Sequence, residues 1–220
     1  QLWAKSVIMV RGGAVMQRKG EHTLRASVAL SSPGPLVLGI GLLFGRSSTQ
    51  IADFIRRTAE LAALVVSLIV FRTIHKGSRQ DSARRRRLEL IVSRFVGTAM
   101  VLSGLAMLTV AVLSLGAEKG NVLLGLVIAF LGAVTNSWFW LRYRKLNQEQ
   151  PDPILAVQSR LYLAKSAVDV SVVASLSFIA LASASPAAGY VDVGGAAVVA
   201  AYLVFTGIST IRRQQPLQAV

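Results

Sequence analysis

The sequence predicts an all-α membrane protein, a bundle of six transmembrane helices, and two observations support that prediction. Of its 220 residues, 53% are hydrophobic and 15% are charged, a composition too apolar for an ordinary soluble domain. The apolar residues fall into about six blocks of roughly 20 residues, which is the length a helix needs to cross the hydrocarbon core of a bilayer. The polar pieces between these blocks are too short to form a soluble domain of useful size.

The predicted spans account for nearly the whole chain. A cytoplasmic lead, amphipathic or irregular, covers residues 1–22, and a cytoplasmic tail covers residues 214–220. The spans are predicted at residues 23–44, 49–74, 90–115, 121–141, 154–182 and 191–211. The motif SSPGP at residues 31–35 interrupts the first span, and its prolines should kink the helix where protein or water can satisfy the freed carbonyl groups.

Small residues and a proline predict local details of the bundle. The third span carries Gly97, Ser103, Gly104 and Ala106, which should let another helix approach closely. Pro153 is expected to open the fifth helix, because a proline suits the first helical position.

The basic residues predict the orientation of the bundle. Bases are concentrated in the lead, in residues 75–89 and 142–153, and at the C-terminal end, whereas the opposite loops hold only Arg46 and Lys119. The positive-inside rule therefore places both termini in the cytoplasm, and we predict a protein integral to the cytoplasmic (inner) membrane. The net charge of +14 is explained by topology, because the bases lie between hydrophobic blocks, and nucleic-acid binding is not predicted.

The second span carries acids and bases together near one end, and the fifth span repeats the pattern. Asp53, Arg56, Arg57 and Glu60 lie at helical spacings that put them within reach of one another. Charge inside a span costs at least a few kcal/mol per residue unless it is paired or hydrated, so these residues are candidates for an ion or substrate pathway. The fifth span contributes its own charged residues, Arg160, Lys165 and Asp169.

Several kinds of site are excluded or weakly indicated. The chain has no cysteine, so thiolate metal sites are excluded, and His22 and His75 are its two imidazoles. No phosphate-binding loop, activated nucleophile or redox pair is evident, so we predict neither an enzyme nor a bound cofactor. The loop residues His75, Asp81 and Glu89 could hold a peripheral metal, but one imidazole and two scattered carboxylates fix no geometry, and a solvated loop is the preferred interpretation.

An ordered set of short motifs gives the chain a family resemblance. Residues 51–60 read IADFIRRTAE, residues 86–90 read RRLEL and residues 165–173 read KSAVDVSVV. Asn136 lies near the end of the fourth span, Asp192 opens the sixth, and the sixth ends in the basic turn IRR. In this order and spacing, the chain resembles the transmembrane part of the cation diffusion facilitator (cation efflux) family of zinc and manganese exporters, without the cytoplasmic C-terminal domain that often follows in that family.

The resemblance implies a central site, and this chain departs from the family at that site. Family members place two pairs of His or Asp ligands on the second and fifth spans around a tetrahedral zinc ion. The matching positions here hold Arg56 and Glu60, then Lys165 and Asp169. Arginine offers no lone pair and stays protonated, so a tetrahedral zinc site is not expected. A weaker metal site built from Asp53, Glu60 and Asp169 remains open.

Two interpretations of the charged cluster stay open at the sequence level. In the first, the chain is a transporter that resembles proton-coupled divalent cation exporters, with an altered, non-zinc centre in which the bases act as fixed counter-charges. In the second, the chain is a non-transporting membrane subunit or scaffold whose charges are structural ion pairs at spacing i, i+4. Those pairs would be Arg56 with Glu60, Lys165 with Asp169, and Asp53 with Arg57.

The predicted partners are lipids and other membrane subunits. A run of arginines opens the third span and could bind anionic lipid headgroups, although a topology anchor alone would explain it: Arg84, Arg85, Arg86 and Arg87. A homodimer or a larger membrane assembly is also open, and if the chain dimerises we expect the contact to use the small-residue face of the third span.

Overall fold

A computed structural model describes residues 2–44, 48–76, 82–113, 122–181 and 187–212, and all of its regular structure in these ranges is helical. Side chains near several helix ends, including that of Asp53, lie outside the described residues. The helices, in chain order, are α1 (Leu2–Ser31), α2 (Pro33–Phe44), α3 (Ser48–Lys76), α4 (Ser82–Leu113), α5 (Val122–Glu149), α6 (Pro153–Leu181) and α7 (Ala187–Arg212).

The predicted first span is made of α1 and α2, which meet at Ser32. Pro33 has no N–H to donate to the carbonyl of Ala29, and the hydroxyl of Ser32 donates to that oxygen at 3.0 Å instead. The helix therefore breaks where the sequence predicts, and a side chain satisfies the carbonyl that the proline leaves without its usual donor. At its other end, α1 extends back to Leu2, so the lead and the first half of the span form one continuous helix.

The outer surface of the bundle is apolar. Large hydrophobic side chains such as Leu43, Leu123, Phe130 and Phe205 are more than half exposed, which is the surface that lipid tails cover in a membrane protein. By length and composition alone, three of the described helical stretches can cross a membrane: Ser82–Leu113, Pro153–Phe178 and Val193–Arg212. These helices and the apolar surface are those of an integral membrane protein, and the number of six spans stays a prediction.

Helices α4 and α7 pack at unusually short range. A Cβ added at Gly97 would lie 2.7 Å from the carbonyl oxygen of Gly207, and one added at Gly104 would lie 2.9 Å from that of Ala200. The small residues therefore allow close helix contact, as predicted. Gly97 and Gly104 make that contact with α7 of the same chain, and dimerisation of the chain stays a prediction.

One half of the bundle holds most of the buried hydrophobic side chains among the described residues. This half, which we call the basic side, contains the ends of α3 and α5 and the starts of α4 and α6. Phe139 and Tyr143 of α5 pack against Tyr162 of α6, with ring centroids 4.9 and 5.4 Å from the Tyr162 ring. The hydroxyl of Tyr143 is hydrogen-bonded to Ser27, which joins α1 to the same cluster. All four side chains are buried.

The start of α6 is fixed by a helix cap. Oδ1 of Asp152 accepts hydrogen bonds from the backbone N–H groups of Ile154 at 2.9 Å and Leu155 at 3.2 Å. These bonds satisfy donors that have no partner within the helix, and Pro153 occupies the first helical position as predicted. The position of α6 along the bundle is therefore well defined at its basic-side end.

Candidate functional site

Glu60 of α3 lies at the centre of the bundle with three partners. It is 5% exposed, and its Oε1 accepts a hydrogen bond of 2.9 Å from the hydroxyl of Ser103 on α4. The guanidinium of Arg56, one turn away on the same helix, has Nη1 4.0 Å from that oxygen. The other carboxylate oxygen, Oε2, lies 3.2 Å from Nζ of Lys165 on α6. This buried acid is held by a hydroxyl and two cations.

Lys165 makes its ion pair across the helix interface. Its ammonium lies against Glu60 of α3 and 5.1 Å from the centroid of the Tyr162 ring, a cation–π distance. The predicted pair with Asp169 on the same helix is not formed, because the ammonium reaches across to α3 instead. The predicted pair between Arg56 and Glu60 is present at 4.0 Å. The third predicted pair involves Asp53, whose side chain lies outside the described residues.

Asp169 has a neutral partner. Nδ2 of Asn136 on α5 donates to Oδ2 of Asp169 at 2.6 Å. Gly132, one turn earlier on α5, leaves room for this carboxylate, since an added Cβ would lie 2.9 Å from the same oxygen. One turn before Asp169, the hydroxyls of Ser137 and Ser166 also join α5 to α6, at 2.6 Å. Within the described residues, no lysine or arginine lies within ion-pair distance of Asp169.

The central cavity brings the predicted charges together. Its volume is about 570 Å³, and five of the six predicted pathway residues line it, while Asp53 lies outside the description. These five are Arg56, Arg57, Glu60, Lys165 and Asp169. The remaining wall is largely apolar and includes Leu30 and Gly34, which flank the α1–α2 break, and Leu176 near the end of α6. The break therefore borders a cavity, as the sequence predicts.

The cavity has a surplus of positive charge. Three bases and two acids among its described lining residues give a formal charge of +1. No cluster of three or more His, Cys, Asp or Glu side chains that could hold a metal ion occurs in the part of the chain that the structure describes. Among its described lining residues the cavity offers two carboxylates and no imidazole, and the absence of a tetrahedral zinc site stays a prediction.

The sequence reasoning missed several partners of these charges. Ser103, assigned to helix packing, holds Glu60, and Asn136, noted as a motif position, holds Asp169. Both are polar residues in apolar segments, which is the signal that could have identified them. Gly132 gave no signal, because its role depends on the distance between α5 and α6.

Polar contacts continue from the central site along the interface of α3 and α6 toward the basic side. Nε2 of Gln158 donates to the hydroxyl of Ser67 at 2.6 Å, and both side chains are fully buried. Farther on, Nε2 of His75 lies 3.5 Å from Oδ2 of Asp152. With Lys165 and Glu60, these pairs form three rungs, each about two helical turns from the next. We call them the polar rungs.

Two atoms beside the polar rungs have no hydrogen-bond partner among the described residues. They are Oε1 of Gln158 and the hydroxyl oxygen of Tyr162, both buried. Buried polar atoms are normally satisfied, and exceptions call for an explanation such as water or a functional role. They lie one turn apart on α6, between the central site and the basic side.

A separate ion pair joins α1 to α3, and its acid, Glu21, lies in the predicted lead, before the first span. Oε1 of Glu21 accepts from Nε of Arg72 at 2.6 Å and from Nη2 of Arg25 at 2.7 Å. The hydrogen bond from Arg72, together with Arg25 and against a partial effect of burial, lowers the pKa of the Glu21 carboxyl below its ordinary value of 4.5.

Two of the three loop residues considered for a peripheral metal, Glu89 and His75, have other partners in the structure. Glu89 pairs with Arg85 at 3.0 Å, and His75 faces Asp152. Asp81 lies outside the described residues.

Comparison with known families gives a match over most of the chain. The model of the cation efflux transmembrane domain matches residues 24–214. No curated protein matches the sequence at a significant level. The family match begins within α1 and covers each of the helices that carry the central site and the polar rungs.

Proposed function

The chain belongs to the cation efflux family, whose members are cation transporters, and we propose that it is a proton-coupled cation exporter with an altered, non-zinc centre. One observation carries the proposal. The ammonium of Lys165 lies 3.2 Å from Oε2 of Glu60, and these two residues match positions at which members of the family hold a metal ion. In this proposal, Lys165 is a built-in cation, and Asp169 is the carboxylate on which substrate and proton exchange.

Glu60 is poorly placed to receive a substrate cation. Its carboxylate already has the positive charges of Lys165 and Arg56 beside it, and an incoming cation would meet their repulsion in a site shielded from water. Removing one partner of a buried pair is costly, so the pair is expected to persist through transport. We therefore assign Glu60 and Lys165 a fixed, charge-balancing role.

Asp169 has the properties that an exchange site needs. It lines the cavity, and its described hydrogen-bond partner is the neutral amide of Asn136, which does not balance the negative charge of the carboxylate. A proton or a cation can each balance that charge, and the two exclude each other on one carboxylate. Competition of this kind couples outward cation movement to inward proton movement.

The size and chemistry of the cavity favour a hydrated, oxygen-binding cation. About 570 Å³ is far more than a bare ion needs, and the lining includes Asn136, which is hydrogen-bonded to Asp169, and Thr135. Mg²⁺ and Mn²⁺ bind oxygen ligands, and Mg²⁺ commonly keeps several of its waters while using one or two carboxylates. We propose a divalent cation of this hard type as the substrate.

The arrangement of the two halves suggests how access alternates. The cavity reaches from the central pair toward Leu30 and Leu176, away from the basic side, whereas the polar rungs and aromatic core close the basic side. We propose that α3 and α6 separate along the polar rungs when the site opens to the basic side. We further propose a six-span topology with both termini and the basic side in the cytoplasm.

The test is transport by the purified chain in proteoliposomes under a proton gradient. Influx or efflux of Mg²⁺, Mn²⁺ and Zn²⁺ is followed together with internal pH. We expect flux of a hard divalent cation with opposite proton movement, abolished by Asp169→Asn and preserved by Glu149→Gln, which removes an exposed carboxylate outside the cavity. Flux equal to that of empty liposomes in both orientations would overturn the proposal in favour of a non-transporting scaffold.

A further inference from the structure

We propose that the groove between α3 and α4 on the outer surface of the bundle is a binding site for one anionic phospholipid, with its phosphate on Arg94 and an acyl chain in the groove. The groove has a volume of about 310 Å³. Its lining is apolar except at the polar side chains of Arg94 and Thr98, and it is separate from the central cavity.

The walls of the groove have the shape of an acyl-chain site. Three alanines form its floor, Ala59 and Ala62 from α3 and Ala99 from α4, and their small side chains leave a channel between the helices. Phe95 and Leu102 border it and are 48% and 37% exposed. In a bilayer, a lipid tail that fills such a channel is held there by van der Waals packing against these side chains.

Arg94 supplies the charge at one end. It is exposed, and in the described part of the chain no carboxylate pairs with it. Other arginines do have such a partner, as Arg85 does in Glu89 and Arg72 does in Glu21. A guanidinium next to an apolar channel, with no acid beside it, is complementary to a phosphodiester, which it can bind through two parallel hydrogen bonds.

The depth of Arg94 fits a headgroup. Ser103, which holds Glu60 at the central site, follows Arg94 by nine residues on α4, so Arg94 lies about 14 Å nearer the basic side. Half the hydrocarbon thickness of a bilayer is about 15 Å, so a central site near the mid-plane puts Arg94 at the phosphate boundary. Its side chain can extend to that boundary while its stem stays in the groove.

A second base extends the charge in the direction of the headgroup. Arg87 lies seven residues before Arg94, on the same face of α4 and about 10 Å farther toward the basic side, and it is exposed. The residue between them on this face is Ile91, which is 42% exposed and is not an acid that would compete for the two arginines. The run of arginines at the start of α4 thus continues into the groove, which turns a diffuse attraction for anionic lipid into a specific site.

The experiment measures lipid binding to the full-length chain by native mass spectrometry, with dioleoylphosphatidylglycerol and dioleoylphosphatidylcholine as probes. We expect the chain to prefer the anionic lipid. Arg94→Gln should weaken the anionic lipid about tenfold, because one charge-assisted contact is lost, and should weaken the zwitterionic lipid less, because its choline cation already offsets the phosphate charge. Arg94→Lys should keep most of the preference, and Arg144→Gln, an exposed base on the same side but on α5, should keep all of it.

A second variant tests the groove itself. Ala62→Leu fills the channel without changing charge and should weaken both lipids, and thermal unfolding of each variant verifies that the bundle is intact. Equal binding of the two lipids by the parent chain, or an Arg94→Gln variant that binds the anionic lipid as the parent does, would overturn the proposal. So would an Ala62→Leu variant that binds both lipids normally but loses self-association, since the groove would then be an interface between copies.

Discussion

The two halves of the bundle accommodate their polar and charged side chains in different ways. On the basic side, polar side chains pair across α3 and α6, as Ser67 does with Gln158, and aromatic rings fill the space around them. In the other half, Arg57 and Asp169 line an open cavity. The comparison teaches that the same kinds of residue act as a seal where their polar groups pair across two helices and as a binding surface where they line open space.

The largest expected effect comes from cross-linking α3 to α6 on the basic side. Because the chain contains no cysteine, Ser67→Cys with Gln158→Cys introduces two thiols, and a short bifunctional methanethiosulfonate reagent can span the space that the longer Gln158 side chain now fills. If the basic side must open along the polar rungs, this cross-link should reduce flux to that of empty liposomes, and a reductant that cleaves it should restore the flux. Flux is measured before and after each treatment, with cross-linking followed by mass spectrometry.

The matched control joins helices that are expected to stay together. Ser137→Cys with Ser166→Cys links α5 to α6, the helix pair with the most extensive contact, at positions whose hydroxyls are also 2.6 Å apart. This cross-link should leave most of the flux intact. A fully cross-linked Ser67→Cys, Gln158→Cys variant that still transports at the parent rate would show that the route to the basic side lies elsewhere.

An intermediate effect is expected from placing two metal-binding histidines in the central cavity. Arg56→His with Lys165→His removes two positive charges beside Glu60 and Asp169 and supplies two imidazoles, the donor set that tetrahedral zinc prefers. We expect Zn²⁺ binding at micromolar or tighter affinity by isothermal titration, where the parent chain shows none. The same two substitutions at exposed positions, Arg86→His with Arg144→His, should create no such binding. An unchanged titration would mean that the cavity no longer has the shape of a metal site.

The smallest effect is expected from removing the ion pair at the edge of the basic side, where Glu21 of α1 binds Arg72 of α3. Its folded pKa is lowered by Arg72, so this tie contributes its full stabilisation above the ordinary value of 4.5 and loses it as pH falls through the lower folded value. Glu21→Gln should therefore lower the melting temperature by a few degrees near pH 7 and flatten the loss of stability on the acid side.

Thermal unfolding from pH 7 to pH 3 tests this prediction. Glu149→Gln removes a carboxylate from an exposed pair on α5 and serves as the control, with an acid profile close to that of the parent. Identical profiles for Glu21→Gln and the parent would show that the tie contributes nothing to folding.

The sequence was sufficient to predict which charged residues meet, but not how they pair. Glu60, Lys165 and Asp169 could be grouped because a family pattern relates the two helices that carry them. Local spacing then suggested that Lys165 pairs with Asp169, four residues away, yet the ammonium lies against Glu60. The choice depends on how α3 and α6 rotate toward each other, and hydrophobic patterning determines that rotation weakly in a helix that is apolar on nearly every face.

Partners contributed by neutral residues were harder to predict. Ser103 and Asn136 could serve as packing residues or as hydrogen-bond donors, and the choice is made by which carboxylate lies opposite. The pairing of Ser67 with Gln158 is likewise a matter of register between two helices far apart in sequence. The break at Ser32, by contrast, follows from the chemistry of proline and needed no tertiary information.

That break bears on how the open half can change shape. Because the serine hydroxyl, and not a backbone amide, satisfies the carbonyl of Ala29, the chain can bend at Ser32 without leaving that oxygen unsatisfied in hydrocarbon. Helix α2 borders the cavity at Gly34 and packs against α3, where a Cβ added at Gly39 would lie 3.3 Å from the ring of Phe54, so a bend at Ser32 would change the cavity mouth together with this contact. The hydroxyl of Ser32, next to Pro33, thus marks the point at which the first span can bend.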